Sequence, residues 1–156
     1  MRARGFTLLE IAIALAVMSV LVTMAVPVLS LQAQRQREAD LRAALRDIRA
    51  ALDAYKRAAD EGRIARAADA SGYPPTLEAL VAGVPDLRDP NKRPIHFLRR
   101  LPRDPMATDT ALAAAATWGL RSYASPPEAP RAGDDVFDVH SMSDRVGING
   151  VPYRQW

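Results

Sequence analysis

The sequence predicts an α+β fold: one long N-terminal helix, transmembrane in its first half and amphipathic in its second, packed on a small C-terminal antiparallel sheet. Three observations predict it. Residues 11–34 carry no charge and are mostly Ile, Leu, Val, Met and Ala. Leu41, Leu45, Ile48, Leu52 and Tyr55 then recur at intervals of four and three. Finally, 11 of the 12 prolines lie at or after Pro74, among short stretches rich in β-branched and aromatic residues. At 156 residues the chain has material for one core, which excludes a two-domain enzyme.

The uncharged segment from Ile11 to Gln34, 24 residues long, spans about 36 Å as a helix, against about 30 Å for the hydrocarbon core of a bilayer. Its polar end, Ser30 to Gln34, falls at the interface. Arg2 and Arg4 precede it without a neighbouring acid, so the positive-inside rule puts the N-terminus in the cytoplasm. A cleaved secretory signal fits less well. The run is too long, Glu10 stands at its start, and the nearest small-residue site, Ala25-Val26-Pro27, carries an unhelpful proline.

Beyond the apolar segment, the Leu41–Tyr55 stripe falls on one side of a helix. Glu38 with Arg42, Arg49 with Asp53, and Asp53 with Arg57 stand four apart on the others, which reads as a water-exposed, charge-paired surface. Neither Gly nor Pro interrupts residues 28–61, so the helix runs to about Glu61 and Gly62 offers a stop. Pro27 is the one earlier interruption and should kink the helix as it leaves the bilayer.

From Gly62 the prolines exclude long helices. Residues 62–117 read as loops and turns, with a short helix at Pro75–Val81 and an Ala-rich stretch, Ala107–Thr117, that fits a helical turn or a loop equally. Gly119–Ala124, Val136–His140 and Val151–Trp156 have strand character and predict the sheet over 118–156. In the middle stretch, Phe137 and Val139 share one face and Asp138 and His140 the other.

Charge divides unevenly, net +1 over 1–34, +3 over 35–66 and −1 over 67–156. The total of +3 is small and its basic residues are interleaved with acids, which excludes a polybasic nucleic-acid face. The chain has no cysteine, which removes disulfides, thiol nucleophiles and thiolate metal sites.

The N-terminal motif carries the chemistry. Gly5-Phe6-Thr7-Leu8-Leu9-Glu10, after a short basic leader and before an apolar helix, resembles the processing site of type IV pilins and type II secretion pseudopilins. The resemblance implies that a prepilin peptidase cuts between Gly5 and Phe6, removing residues 1–5, and methylates the new Phe6 amine. Gly5 suits a protease at the membrane surface, because it leaves the backbone free and uncrowded. A carboxylate in an apolar helix costs a few kcal/mol unless neutralised. The amine created by cleavage, with a reference pKa near 8, is a partner for it. By resemblance, Glu10 of one subunit pairs with the Phe6 amine of its neighbour and sets the register of a filament. The plainer reading of Glu10 is an interfacial carboxylate that favours the helix dipole.

The C-terminal half also resembles major pseudopilins of type II secretion. The resemblance rests on Tyr73-Pro74-Pro75-Thr76-Leu77-Glu78-Ala79-Leu80, on Leu98-Arg99-Arg100-Leu101-Pro102-Arg103-Asp104-Pro105, on Trp118-Gly119 with Tyr123, and on Val136-Phe137-Asp138-Val139 with Ser141. It implies a type IV pilin-like fold with residues 6–34 as transmembrane and filament-core helix. Residues 35–156 then form a periplasmic domain anchored in the bacterial inner membrane. The implied partners are prepilin peptidase, copies of the chain, minor pseudopilins, and an inner-membrane assembly platform with a cytoplasmic ATPase.

Such proteins typically hold calcium in a loop corresponding to Ser141–Gly150. The candidate donors here are Ser141, Asp144 and Asn149. Asp144 is the loop's one acid, while calcium takes six to eight oxygens, so backbone carbonyls would have to supply the rest. Asp134 and Asp135, the adjacent acids nearby, read as a solvated turn.

A pilus pilin or minor pilin-like subunit is the alternative within the family. An anchored periplasmic enzyme is the alternative outside it, since His96, His140, Ser141 and Asp138 are residue types of hydrolase triads. No G-x-S-x-G motif is present and three of the four crowd into one strand, so no catalytic residue is assigned.

Overall fold

The computed structural model describes residues 7–156, with the side chains of residues 22–28 outside the description. The chain divides into two compact units that meet between Gln36 and Arg37. The first helix, α1 (Leu8–Asp60), supplies all of the described part of the first unit except Thr7, and the opening of the second.

Thr7 starts α1. Its hydroxyl and carbonyl both accept from the Glu10 amide, at 3.3 and 3.1 Å, and its carbonyl also accepts from Ile11. This is the N-cap arrangement that satisfies the free amides of a first turn. The backbone stays helical through position 27. The kink expected at Pro27 falls among residues 22–28, outside the described side chains. Among the described residues no helix is long and apolar enough to cross a membrane; the span expected over 11–34 includes those same residues.

The far end of α1 closes as a Schellman motif. The Arg63 amide donates to Ala58 at 2.9 Å and the Gly62 amide to Ala59 at 3.0 Å, with Gly62 at φ +67°. A left-handed residue is required there, so Gly62 stops the helix as the sequence predicts.

In the second unit the predicted stripe is the core. Leu41, Leu45, Ile48, Leu52 and Tyr55 are all buried, with Ala44, Ala51, Ala58 and Ala59 filling the spaces between them. Ile64, Leu77, Leu80, Met106, Trp118, Val136, Val139 and Tyr153 complete the cluster. The charge pairing differs from the expectation. Glu38 and Arg42 do pair, at 3.5 Å, yet Glu38 is only 3% exposed. Arg49 turns from Asp53 to Asp138, at 2.8 Å, because the later strand that carries Asp138 runs alongside the helix.

After α1 come a single turn, α2 (Ala79–Ala82), and a minimal antiparallel pair, β1 (Val84–Pro85) with β2 (Pro94–Ile95), which the sequence reading leaves as loop. The Ala-rich stretch ends in a 3-10 turn at Ala115–Thr117. Then β3 (Trp118–Arg121) pairs antiparallel with β4 (Asp138–Ser141), placing Gly119 opposite His140 and Leu120 opposite Val139.

The third expected strand is a correction. Residues Tyr153–Gln155 form a 3-10 turn, and the stretch makes one bridge, Val146 with Pro152. Pro152 has no N–H to give a ladder. The Tyr153 amide instead donates to Arg145 at 3.0 Å, turning the Tyr153 ring into the core.

Candidate functional site

The candidate site is the start of α1. Gly5 and Phe6, the expected cleavage pair, lie outside the described residues. From Thr7 the chain is described, and Thr7-Leu8-Leu9-Glu10 has the spacing of a capping box, a Thr at the N-cap and a Glu at the third helical position. That spacing is visible in the sequence, and it gives Glu10 a place in the first turn, where a carboxylate also favours the helix dipole. The Glu10 side chain is exposed, and among the described residues its carboxylate makes no ion pair or hydrogen bond.

Around it the surface is apolar on every side. Leu8 is 87% exposed, and Leu9, Ile11, Ile13, Leu15, Val17, Met18 and Leu21 are all exposed as well. Successive helical residues are about 100° apart, so these side chains ring the helix instead of forming a stripe. A helix apolar all round is one that another apolar phase covers, whether lipid or neighbouring helices. A lone carboxylate in such a surface needs a cationic partner when it is covered.

In the second unit the same helix carries a buried carboxylate, Glu38. It accepts from the Ile148 amide at 2.8 Å and from the Tyr153 hydroxyl at 3.0 Å, so the second half of α1 holds the 146–153 loop. Arg49, farther along the helix, holds the residues on either side of that loop, donating to Asp138, to the Val139 carbonyl at 3.2 Å and to the Trp156 carbonyl at 2.9 Å. The Arg42 guanidinium lies over the Trp156 ring at 4.3 Å.

The residues considered for catalysis are not brought together. Ser141 is buried and donates to Asp104 at 2.6 Å. His140 lies on the opposite side of β4, its ring against Gly119, and His96 contacts the Val81 carbonyl. Burial lowers the His140 pKa, with Asp138 opposing and Arg49 and Arg121 adding to the depression. An open groove between residues 65–75 and 122–135 is lined by Tyr73, Tyr123, Asp134 and Asp135, and by neither histidine. Asp135 is no bare solvated acid. It accepts from the Ser71 hydroxyl and from the Tyr123 amide at 2.8 Å, tying the two walls.

The expected calcium donors do not fit the ion. Ser141 is committed to Asp104. Asp144 takes Arg154 at 2.8 Å, and Asn149 caps the Val151 amide at 3.1 Å. The carbonyls of Arg145, Gly147 and Val151 accept the amides of Tyr153, Gly150 and Gly147. Among the described residues no three acidic or imidazole groups are placed to hold a metal.

Buried Asp104 is a structural anchor whose long-range partners the sequence does not disclose. Besides Ser141, it receives the Met106 amide at 2.8 Å, while its own amide donates to buried Thr117 at 3.1 Å. The signal available in the sequence was Asp104-Pro105 as a turn.

Similarity to known proteins runs the length of the chain. A model of the prokaryotic N-terminal methylation motif matches residues 1–26. A type II secretion system core protein G from Pectobacterium carotovorum subsp. carotovorum is 34% identical over 144 residues, covering 86% of this chain and 83% of the relative. Its namesake from Klebsiella pneumoniae is 32% identical, over 86% of this chain and 93% of the relative. The one from Dickeya chrysanthemi is 34% identical, over 96% and 95%. No solved structure gives a significant match. With this identity over most of both chains, joined to the motif at Gly5–Glu10 and to the helix-plus-sheet fold, the chain belongs to the family of type II secretion system core protein G, the major pseudopilins.

Proposed function

We propose that this protein is the structural subunit of a type II secretion pseudopilus, built into a helical filament whose growth drives folded proteins across the outer membrane. The observation that carries the reading is Glu10: a carboxylate with no ion pair among the described residues, in the capped first turn of a helix whose described apolar side chains are uncovered all round. Residues 6–34 hold the subunit in the inner membrane with its N-terminus cytoplasmic and residues 35–156 in the periplasm. Prepilin peptidase removes residues 1–5 and methylates Phe6. Glu10 of an incoming subunit then meets the Phe6 amine of one already in place.

Apolar helices packed on copies of themselves replace the lipid they leave, so extraction gains little burial and needs the cytoplasmic ATPase of the assembly platform. The contact is heterologous and repeats without closing, which yields an open helix. Pro27 lets the helix loosen as it is drawn out. Minor pseudopilins start or end the filament, and the protein does no chemistry on a substrate.

The test is overproduction of the full chain in cells with the secretion machinery, with and without the ATPase. Sheared filaments containing this chain only when the ATPase is present agree with the proposal. Full secretion of exoproteins by cells lacking this chain contradicts it.

A further inference from the structure

The loop that carries calcium in related subunits is closed here by a different device. Its polarity is reversed. A cation needs a loop that turns carbonyls and carboxylates inward. In this chain the loop turns donors inward, the Ile148 amide and the Tyr153 hydroxyl, and a carboxylate from α1 receives both at 2.8 and 3.0 Å. Glu38 and Tyr153 are 3% and 0% exposed, so these are charge-assisted bonds in a dry place, which are the strong kind.

Three of the loop's carbonyls are already engaged within it. The Arg145 carbonyl accepts the Tyr153 amide at 3.0 Å, Gly147 accepts Gly150 at 2.9 Å, and Val151 accepts Gly147 at 2.9 Å and the Trp156 indole at 3.3 Å. Asp144, the only acid between Ser141 and Trp156, is 81% exposed and faces Arg154. With Arg145 and Arg154 present, the segment is cationic overall, which disfavours a second cation.

We propose that segment 141–156 closes without a divalent cation, and that the buried Glu38 carboxylate fixes the loop to the helix in its place. The subunit keeps its fold, and its competence to assemble, in a calcium-poor envelope. The proposal stands apart from the assembly reading, since it concerns only how one subunit is held.

The experiment uses the full chain in detergent micelles. Thermal unfolding is followed in millimolar calcium and in EGTA, and trypsin cleavage after exposed Arg145 is timed in both. The expected result is the same midpoint and the same cleavage rate in the two solutions. Glu38→Gln should speed the cleavage at least about tenfold, the shift that loss of a charge-assisted bond brings, and equally with and without calcium. Tyr153→Phe keeps the ring in the core and should speed it less. A saturable rise of the midpoint with calcium, absent with magnesium, overturns the proposal. So does wild-type protection of Arg145 in both variants.

Discussion

Tyr153 donates its hydroxyl proton to Glu38 at 3.0 Å across 115 residues of chain, and both side chains are buried. The bond joins the part of α1 just past the apolar segment to the end of the described fold. Glu38 also takes Ile148, and Arg42 and Arg49 reach Trp156, so one side of the helix gathers the whole last loop.

Removing that hydroxyl leaves the carboxylate short of a donor in a dry site. Tyr153→Phe should cost about 1–3 kcal/mol, the penalty of an unsatisfied buried polar group. Tyr153→Ala should cost about 3–5 kcal/mol, since the ring is lost as well. Urea unfolding of the full chain in micelles measures both, and an unchanged midpoint for Tyr153→Phe counts against the bond.

The His140 ring occupies the space that a side chain at Gly119 would need. A Cβ there would stand 2.3 Å from the imidazole, across the β3–β4 register. Gly119→Ala should destabilise by about 1–3 kcal/mol through overpacking. Adding His140→Ala should recover most of the loss, because the clash has one partner. Additive losses in the double variant would show that the strain lies elsewhere.

Two groups give the stability an acid limb. Burial holds the His140 imidazole below its ordinary pKa, so the unfolded chain takes up that proton first as pH falls through about 6.5. The contribution is complete above that pH and is lost below it. The hydrogen bond from Arg63, helped by the Arg88 amide at 3.0 Å, keeps the Asp86 carboxyl below its ordinary value. Its contribution is present above about pH 4 and lost as pH falls through the lower folded value. His140→Gln should flatten the upper part of the limb and Asp86→Asn the lower part. Unfolding midpoints taken against pH would refute the assignment if each variant kept the wild-type profile.

Cap and charge at the helix start can be separated. Thr7→Ala removes the hydroxyl that accepts from Glu10, loosening the first turn by about 1 kcal/mol. It should raise hydrogen exchange at Leu8–Ile11 while leaving assembly near normal. Glu10→Gln keeps a capping residue at that spacing and removes the charge. It should leave the protein processed and in the membrane but lower the filament yield about tenfold or more, as expected for a lost charge-assisted contact. Normal filaments from Glu10→Gln would remove the ion pair from the mechanism.

What the sequence reveals depends on how far apart the interacting groups are. The Leu41–Tyr55 stripe and the Gly62 stop follow rules that act within a few residues, and both hold in the structure. The Thr7 cap is equally local, and its four-residue spacing can be read by eye. Glu38 is different. A helical projection pairs it with Arg42, whereas its strongest partners are 110 and 115 residues away. Asp104 meets Ser141 across 37 residues, and Arg49 meets Asp138 across 89. The Val151–Trp156 stretch has strand composition, but Pro152 and the tyrosine's need for a buried acceptor turn it into a 3-10 coil. Its fate rests on Glu38, which no property of the stretch itself discloses.

On the proposed function the chain is a processed subunit whose first residue becomes the partner of Glu10. Intact mass and N-terminal fragmentation of the protein from cells with a working prepilin peptidase test it most directly. The expected product is a chain that begins with N-methyl-Phe6, the five leader residues gone. An intact Met1, or a start at any residue other than Phe6, would contradict it.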